Sequence, residues 1–316
     1  MMGCKDNKTS EKTKITTNSI KIDNTRLLQN IEILASDSLE GRGFSKAGNY
    51  KAQQFIANQF KRLQLATVLD DGYIQKFPYT FKGKRRQRMF PVKGKKRDAT
   101  NVPDTTVVGG NVIAKIPGKT DKTIVITGHL DHLGIRNGKI YNGADDDASG
   151  TAALVEIAAY FKDKKPTHTL IIAAVDAEEI GSLGASYLVD NFPLDIKNVV
   201  LNINMDMIAH NDNKELYACG LYHYPQLKEP LTKIDSKINL LFGHDNPNDK
   251  TKDDWTFSSD HRIFHKKKIP FIYFGVEDHK DYHKHTDTFN NINQDFYVEA
   301  VKLIICSIEN YDAFIK

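Results

Sequence analysis

The sequence is short of cysteine, tryptophan and long apolar runs, and neither sign of charge is in clear excess. Three cysteines, Cys4, Cys219 and Cys306, lie far apart in 316 residues. That number and spacing exclude both a disulfide framework and a cysteine-rich zinc site. No apolar run approaches the roughly 18 residues needed to span a bilayer. Lysine and arginine total 44 against 40 acidic residues, and a net charge of +4 is too small to point to nucleic acid. With 40% apolar and 27% charged residues, the chain has the composition of a globular protein long enough to bury a large core.

The start of the chain leaves two readings open. Cys4 follows Gly3 and precedes a polar stretch, Lys5 to Ser19, rich in Lys, Thr, Asn and Ser. Gly-Cys before a polar tether resembles the processing point of an exported bacterial lipoprotein, periplasmic or membrane-anchored through a lipidated Cys4. Only Met1 and Met2 stand where an apolar leader belongs. The other reading is a plain cysteine in a disordered tail. Residues 1–20 are expected to be a tail or tether, and 21–316 one domain.

Along that domain, Leu27, Leu28, Ile31 and Leu34 have helical spacing, and a second helix is expected over about 46–65 behind Ser45. The turn Glu40-Gly41-Arg42-Gly43 between them follows no strand, so it reads as a loop and not as a phosphate cradle. Strands are expected over 72–81 and 106–116. The basic run between them, Lys82 to Arg88 and Lys93 to Arg97, has no aromatic residues spaced to stack on bases and reads as a solvated loop. From Thr123 onward apolar strands (123–127, 169–175, 198–204, 269–274) alternate with helices (148–162, 182–190, 293–315). Such continuous apolar strands are buried on both faces. The expected fold class is α/β, a three-layer sandwich with a mostly parallel mixed sheet and helices on both faces.

Residues that bind metals gather where these strands end. Strand 123–127 runs into His129 and Asp131, and strand 169–175 into Asp176-Ala177-Glu178-Glu179. Strand 198–204 leads to Met205-Asp206, and strand 269–274 to Asp281-Tyr282-His283. An acidic loop adds Asp145-Asp146-Asp147. Ligand sites in open α/β sheets lie outside the carboxyl ends of the strands. Taken singly, each piece has a plain structural reading: Glu178-Glu179 as a solvated helix start, the three aspartates as a cap. Together, two imidazoles and three carboxylates exceed the charge one ion needs and suit two divalent ions about 3.5–4 Å apart.

The order His129-Leu130-Asp131, Gly143 to Gly150 (GADDDASG), Glu178-Glu179, Met205-Asp206-Met207 and Tyr282-His283 with Asp287-Thr288 resembles the di-zinc aminopeptidases of the bacterial leucyl aminopeptidase and aminopeptidase Y family. Leu39-Glu40-Gly41-Arg42 and Ser259-Asp260-His261 match as well. This resemblance implies that 21–316 is a zinc peptidase catalytic domain binding two Zn2+, with Mn2+ or Co2+ as alternatives. Asp146 would bridge the ions, with a cis peptide bond after it. His129 and Asp206 would complete one site, Glu179 and His283 the other. Asp131 would orient His129, Glu178 would be the general base, and Tyr282 would donate to the tetrahedral intermediate. His285 stands two positions away as a rival to His283.

The implied substrates are peptides with a free N-terminus. Glutaminyl cyclase-like activity, carboxypeptidase activity or a non-catalytic peptide-binding relative are the alternatives on the same scaffold. Loop 207–257, which would shape specificity, carries no readable motif. Trp255 and Phe257 are expected in the core rather than in a substrate pocket. The sequence is silent on oligomeric state.

Overall fold

The apolar runs become the middle of an eight-stranded sheet in the computed structural model, which describes residues 15–83 and 103–316. In chain order the strands are β1 (Ile74–Phe81), β2 (Thr105–Ile116), β3 (Thr120–His129), β4 (His168–Val175), β5 (Val199–Met205), β6 (Glu215–Cys219), β7 (Asn239–Phe242) and β8 (Phe271–Gly275). They lie side by side as β7-β6-β8-β5-β3-β4-β2-β1. The central run β8-β5-β3-β4 is parallel, as is the edge pair β7-β6, whereas β6-β8, β4-β2 and β2-β1 are antiparallel. The sheet is therefore mixed and mostly parallel, as expected.

Alternate residues of the central strands feed opposite cores. Ile124 and Ile126 of β3, with Leu170 and Ile172 of β4, pack under α1 (Asn24–Leu34), α2 (Ala47–Arg62), α3 (Gly150–Phe161) and α6 (Gln294–Phe314). Val125, Ile171, Ala173 and Val175 face the other way, onto α4 (Leu183–Asp190) and Phe264 of α5 (His261–Lys266). This two-sided burial is why β3 and β4 read as unbroken apolar runs. Parallel neighbours also point their carboxyl ends the same way, so His129, Asp176 and Asp206 emerge at one edge.

Two expectations need correction. Residues 15–20 are not tail: Ile15–Thr16 pair in parallel with Ile234–Asp235, and Ile20 is buried. The ordered domain thus extends at least to residue 15. The short strands β6 and β7, the hairpin of Gly134–Arg136 with Lys139–Tyr141, and α5 had no counterpart in the sequence pattern. Cys4 and most of the basic run, Lys84 to Arg97, lie outside the described residues. Lys82 pairs with Asp104 at 2.7 Å. Cys219 and Cys306 are both buried free thiols.

The turn before α2 is a loop, as expected, but its Arg42 is a strut. The side chain is fully buried, and its guanidinium donates to four backbone carbonyls: Leu34 and Asn142 at 2.6 Å, and Leu130 and Gly143 at 2.9 Å. Burial lowers the pKa of Arg42, and the carboxylates beyond it, led by Asp147, work against that shift. One planar fork thus ties the end of α1 to the segments after His129 and before Asp146. Gly41 beside it has φ of 65°, and a Cβ there would meet the Tyr141 carbonyl at 2.2 Å. Replacing Arg42 by Met would strand four buried acceptors, each costly to leave unpaired. The Arg42→Met variant is expected to lose at least about 3 kcal/mol in urea unfolding, at an unchanged m-value. A loss within about 0.5 kcal/mol would show that the strut carries no load.

Candidate metal centre

The predicted residues meet around Asp146. Its Oδ1 lies 3.0 Å from His129 Nε2, and its Oδ2 lies 3.1 Å from His283 Nε2. On one side His129 Nε2 is 3.4 Å from Asp206 Oδ1. On the other, Glu179 Oε2 is 3.9 Å from His283 Nε2. The donor atoms form two trios that share Asp146: His129, Asp146 and Asp206, and His132, Asp146 and Glu179. The His285 alternative is not supported, because that ring is exposed and its Nε2 sits 2.7 Å from Lys139 Nζ.

Backbone geometry builds this arrangement. The peptide between Asp146 and Asp147 is cis. Ala177, Met207 and His283 beside the cluster hold left-handed φ values of 62°, 61° and 54°. Such conformations are uncommon outside glycine and concentrate at functional sites. Asp145 and Asp146 donate their amides to the Asp287 carboxylate at 2.9 and 3.1 Å. The carboxylate of Asp147 accepts from the amides of His129 and Gly150, both at 2.9 Å, so this aspartate holds the strand end and α3 together. The three adjacent aspartates therefore do different work, and the capping reading is right for Asp147.

The role expected of Asp131 is only partly met. The His129 Nδ1–H donates to the Asp131 backbone carbonyl at 2.9 Å, while the carboxylate is 3.7 Å away. That carboxylate instead accepts the amides of Glu178 and Glu179 at 2.9 and 3.3 Å. Asp131 thus orients His129 through its main chain and the Glu178-Glu179 turn through its side chain. With Nδ1 committed to that carbonyl, Nε2 is the nitrogen that faces Asp146 and Asp206, and a cation that displaced its proton would find the tautomer a metal ligand needs.

His132 went unrecognised in the sequence. Its side chain is buried, with Nδ1 2.8 Å from Glu179 Oε1 and 3.6 Å from Asp146 Oδ2. Neither ring nitrogen has a hydrogen-bond partner, and neither does Glu179 Oε1. Orphaned polar atoms on facing donors inside a buried cluster fit a cation between them. The only clue in the sequence was a second histidine beside the His129-Leu130-Asp131 motif. Asp260 is fully buried, its charge acts on Glu178, and burial pushes its own carboxyl up to about 7.

Charge accounts for the rest. Burial disfavours a proton on His129, yet the carboxylates around it, Asp206 foremost, raise its pKa well above the ordinary value. Burial would push Asp146 up, but His132, His129 and His283 hold it well below the usual carboxylate range. A field that holds protons on imidazoles this firmly is suited to divalent cations in their place. Glu178 is raised well above the usual range by burial, with Asp260, Asp206 and Asp131 adding to the shift. It lines the same cavity as the cluster, together with Tyr282, whose ring stacks on His283 at 3.9 Å.

That cavity is roughly 750 Å3. Its wall includes Asp253, Asp254, Glu277 and Asp278. Trp255 lines it too, stacked on His244 at 3.7 Å while packing against the buried cluster of Tyr217, Cys219, Phe271 and Tyr273, so the core expectation holds in part. Phe257, 51% exposed, is not in the core.

Residues 111–307, more than half of the chain, match peptidase family M28. The chain belongs to that family. A probable zinc metalloprotease of Leptosphaeria maculans is 36% identical over 105 residues, covering 31% of this chain and 24% of that protein. The chain thus matches about a quarter of the length of that curated relative. The M28 fold is shared with an aminopeptidase from Aneurinibacillus sp. strain AM-1, at a TM-score of 0.70 and 17% identity over 94% of this chain and 95% of that one. It is shared too with a glutaminyl cyclase of Bacteroides thetaiotaomicron, at 0.65 and 14% over 92% and 99%.

His132→Ala is expected to weaken zinc binding by about 10- to 100-fold, the usual effect of losing a side chain that orients a ligand. Equilibrium dialysis against buffered zinc would measure it. An unchanged affinity would mean that His132 merely fills space.

Proposed function

We propose that this M28 chain is a zinc-dependent aminopeptidase that removes N-terminal residues from peptides, with two ions per chain. The observation that carries the reading is the pair of donor trios sharing Asp146 on the floor of an acidic-walled cavity. His129 and Asp206 would hold one ion, Glu179 and His283 the other, and Asp146 both. His132 would steady Glu179. Mixed imidazole and carboxylate donors suit zinc, with manganese or cobalt as substitutes. When bound, such a pair supplies Lewis acidity and a bridging water acidified to near neutral pH.

The chain supplies the rest. Glu178 faces the cavity without joining either trio. It receives the proton of the attacking water and passes it to the leaving amine. The Tyr282 hydroxyl, which burial keeps protonated well beyond neutral pH, donates to the oxyanion as charge develops. Asp253, Asp254, Glu277 and Asp278 offer negative charge to a free α-ammonium group. Two lysines share the wall: Lys250 donates to the Pro247 carbonyl at 2.8 Å, and Lys252 lies 5.0 Å over the Tyr217 ring, so four carboxylates face two ammonium groups. This acidity favours an amino end over a carboxyl end, and so an aminopeptidase over a carboxypeptidase. The complete donor set favours hydrolysis over glutaminyl cyclisation and over a non-catalytic peptide-binding role. Export as a lipoprotein through Cys4 remains part of the proposal, supported by Gly3-Cys4 and the polar stretch after it. Mass spectrometry of the native N-terminus tests it.

Glu178→Gln is expected to keep its metal yet lose about 100- to 10,000-fold in kcat on aminoacyl anilides, the usual contribution of a general base. Near-normal turnover by that variant would remove Glu178 from the role. For the wild type, peptides acetylated at the N-terminus should resist hydrolysis while C-terminally amidated ones are cut. The reverse pattern would indicate a carboxypeptidase, and pyroglutamate formation from N-terminal glutamine a cyclase.

A further inference from the structure

Behind the Asp146 cluster lies a second group of donors that the proposed reaction does not use. His210 follows the turn after Asp206, and His279 and Asp281 belong to the loop that ends in Tyr282 and His283. Donor atoms of His210, His279 and Asp281 lie within 4.8 Å of one another. His210 and Asp281 are only 4% and 6% exposed. Three atoms of this trio, His210 Nδ1, His279 Nε2 and Asp281 Oδ2, have no hydrogen-bond partner, and neither does the buried Asp145 Oδ2 beside them. His279 Nε2 is 3.1 Å from that Asp145 oxygen, within ion-pair distance. Two imidazoles and two carboxylates packed this closely, with His210 Nδ1 and Asp281 Oδ2 left without a partner, are an unusual concentration in a protein interior.

The other polar side-chain atoms of Asp281, Asp145 and His279 are in use, which fixes the positions of these three. Asp281 Oδ1 accepts from the Thr286 hydroxyl at 2.6 Å, and Asp145 Oδ1 from the Ala209 amide at 2.6 Å. His279 Nδ1 accepts from the Asp281 amide at 3.2 Å. A surface hollow of roughly 240 Å3, lined by His210, Asp212, Glu277, Asp278 and His279 among others, gives the cluster an entry from solvent.

We propose that His210, His279 and Asp281 form a third metal site, separate from the pair around Asp146, which takes zinc or another borderline divalent cation and braces the loop carrying Tyr282 and His283. The donor set decides the class of ion. Imidazole with carboxylate suits zinc, cobalt or nickel, whereas calcium and magnesium prefer oxygen alone. Zinc bonds of about 2.0–2.2 Å require the donors to draw in by roughly an ångström. The His210 ring must also turn out of its stack on His279, where the centroids are 4.0 Å and the planes 23° apart. That turn breaks no hydrogen bond at Nδ1. With Asp145 facing Nε2, His279 would meet the ion through Nδ1, giving up the Asp281 amide at 3.2 Å, and Asp145 would be the carboxylate that commonly backs a metal-bound histidine. Because Asp145 adjoins Asp146, occupancy here would also steady the shared ligand of the pair. The third site does not depend on any catalytic role for that pair.

The test counts metal in chelator-stripped protein re-equilibrated by dialysis against buffered Zn2+, for the wild type, His210→Ala, the near-isosteric Asp281→Asn, and His283→Ala. The expected result is three zincs in the wild type, and two in His210→Ala and Asp281→Asn alike, with a lower zinc-dependent gain in Tm for both. A wild-type count of two, unchanged in both of those variants, overturns the third site and leaves His279 as an imidazolium paired with Asp145. A site lost on His210→Ala but kept on His283→Ala, in a protein binding only one zinc, would uphold the third site while overturning the two-ion reading of the catalytic centre. No bound metal in any form would overturn both.

Discussion

The structure is organised by the need to keep the carboxylates of Asp146, Glu179 and Asp206 together in a buried pocket. Like charges brought this close out of water repel strongly, and desolvation adds to the penalty. Three imidazoles, from His129, His132 and His283, interleave with them and offset part of that charge. Everything nearby holds the arrangement in place. Arg42 ties the flanking segments through four carbonyls, Asp287 grips the amides before the shared ligand, and Asp131 grips those of Glu178 and Glu179. The pocket is therefore one electrostatic unit several layers deep, not five ligands on an inert scaffold.

The parallel core of the sheet was legible because it is buried on both faces, and only apolar runs such as Thr123 to Thr127 survive there. The same logic exposed the ligands, since a strand that ends in His129 or Asp206 breaks its own pattern at the break in the fold. Weak local patterns hid the rest. Strand β7 has four residues with one exposed and three half-buried, and it takes its order from pairing with β6 rather than from its own sequence. Residues 15–20 look polar and tail-like, yet Ile15–Thr16 pair with Ile234–Asp235, and Thr17 and Ile20 are buried.

At the site, the missed residues were those whose role is set by what surrounds them. His132 differs from a core histidine only because Glu179 and Asp146 face it. Arg42 reads as an ordinary turn arginine until four distant carbonyls are seen to converge on it. Asp131 does hold His129, but through its backbone carbonyl rather than its carboxylate, and spacing along the chain does not distinguish the two oxygens. The three consecutive aspartates make the same point. One bridges two halves of the cluster, one caps α3, and one faces the second group of histidines.

The cavity over the cluster has a consequence for what can be processed. At roughly 750 Å3 it is the size of a small-molecule pocket, and His129, Asp146, Glu179, Asp206 and His283 are part of its lining. Under the proposed activity, a space of that size takes in the end of an extended chain and leaves a folded domain outside.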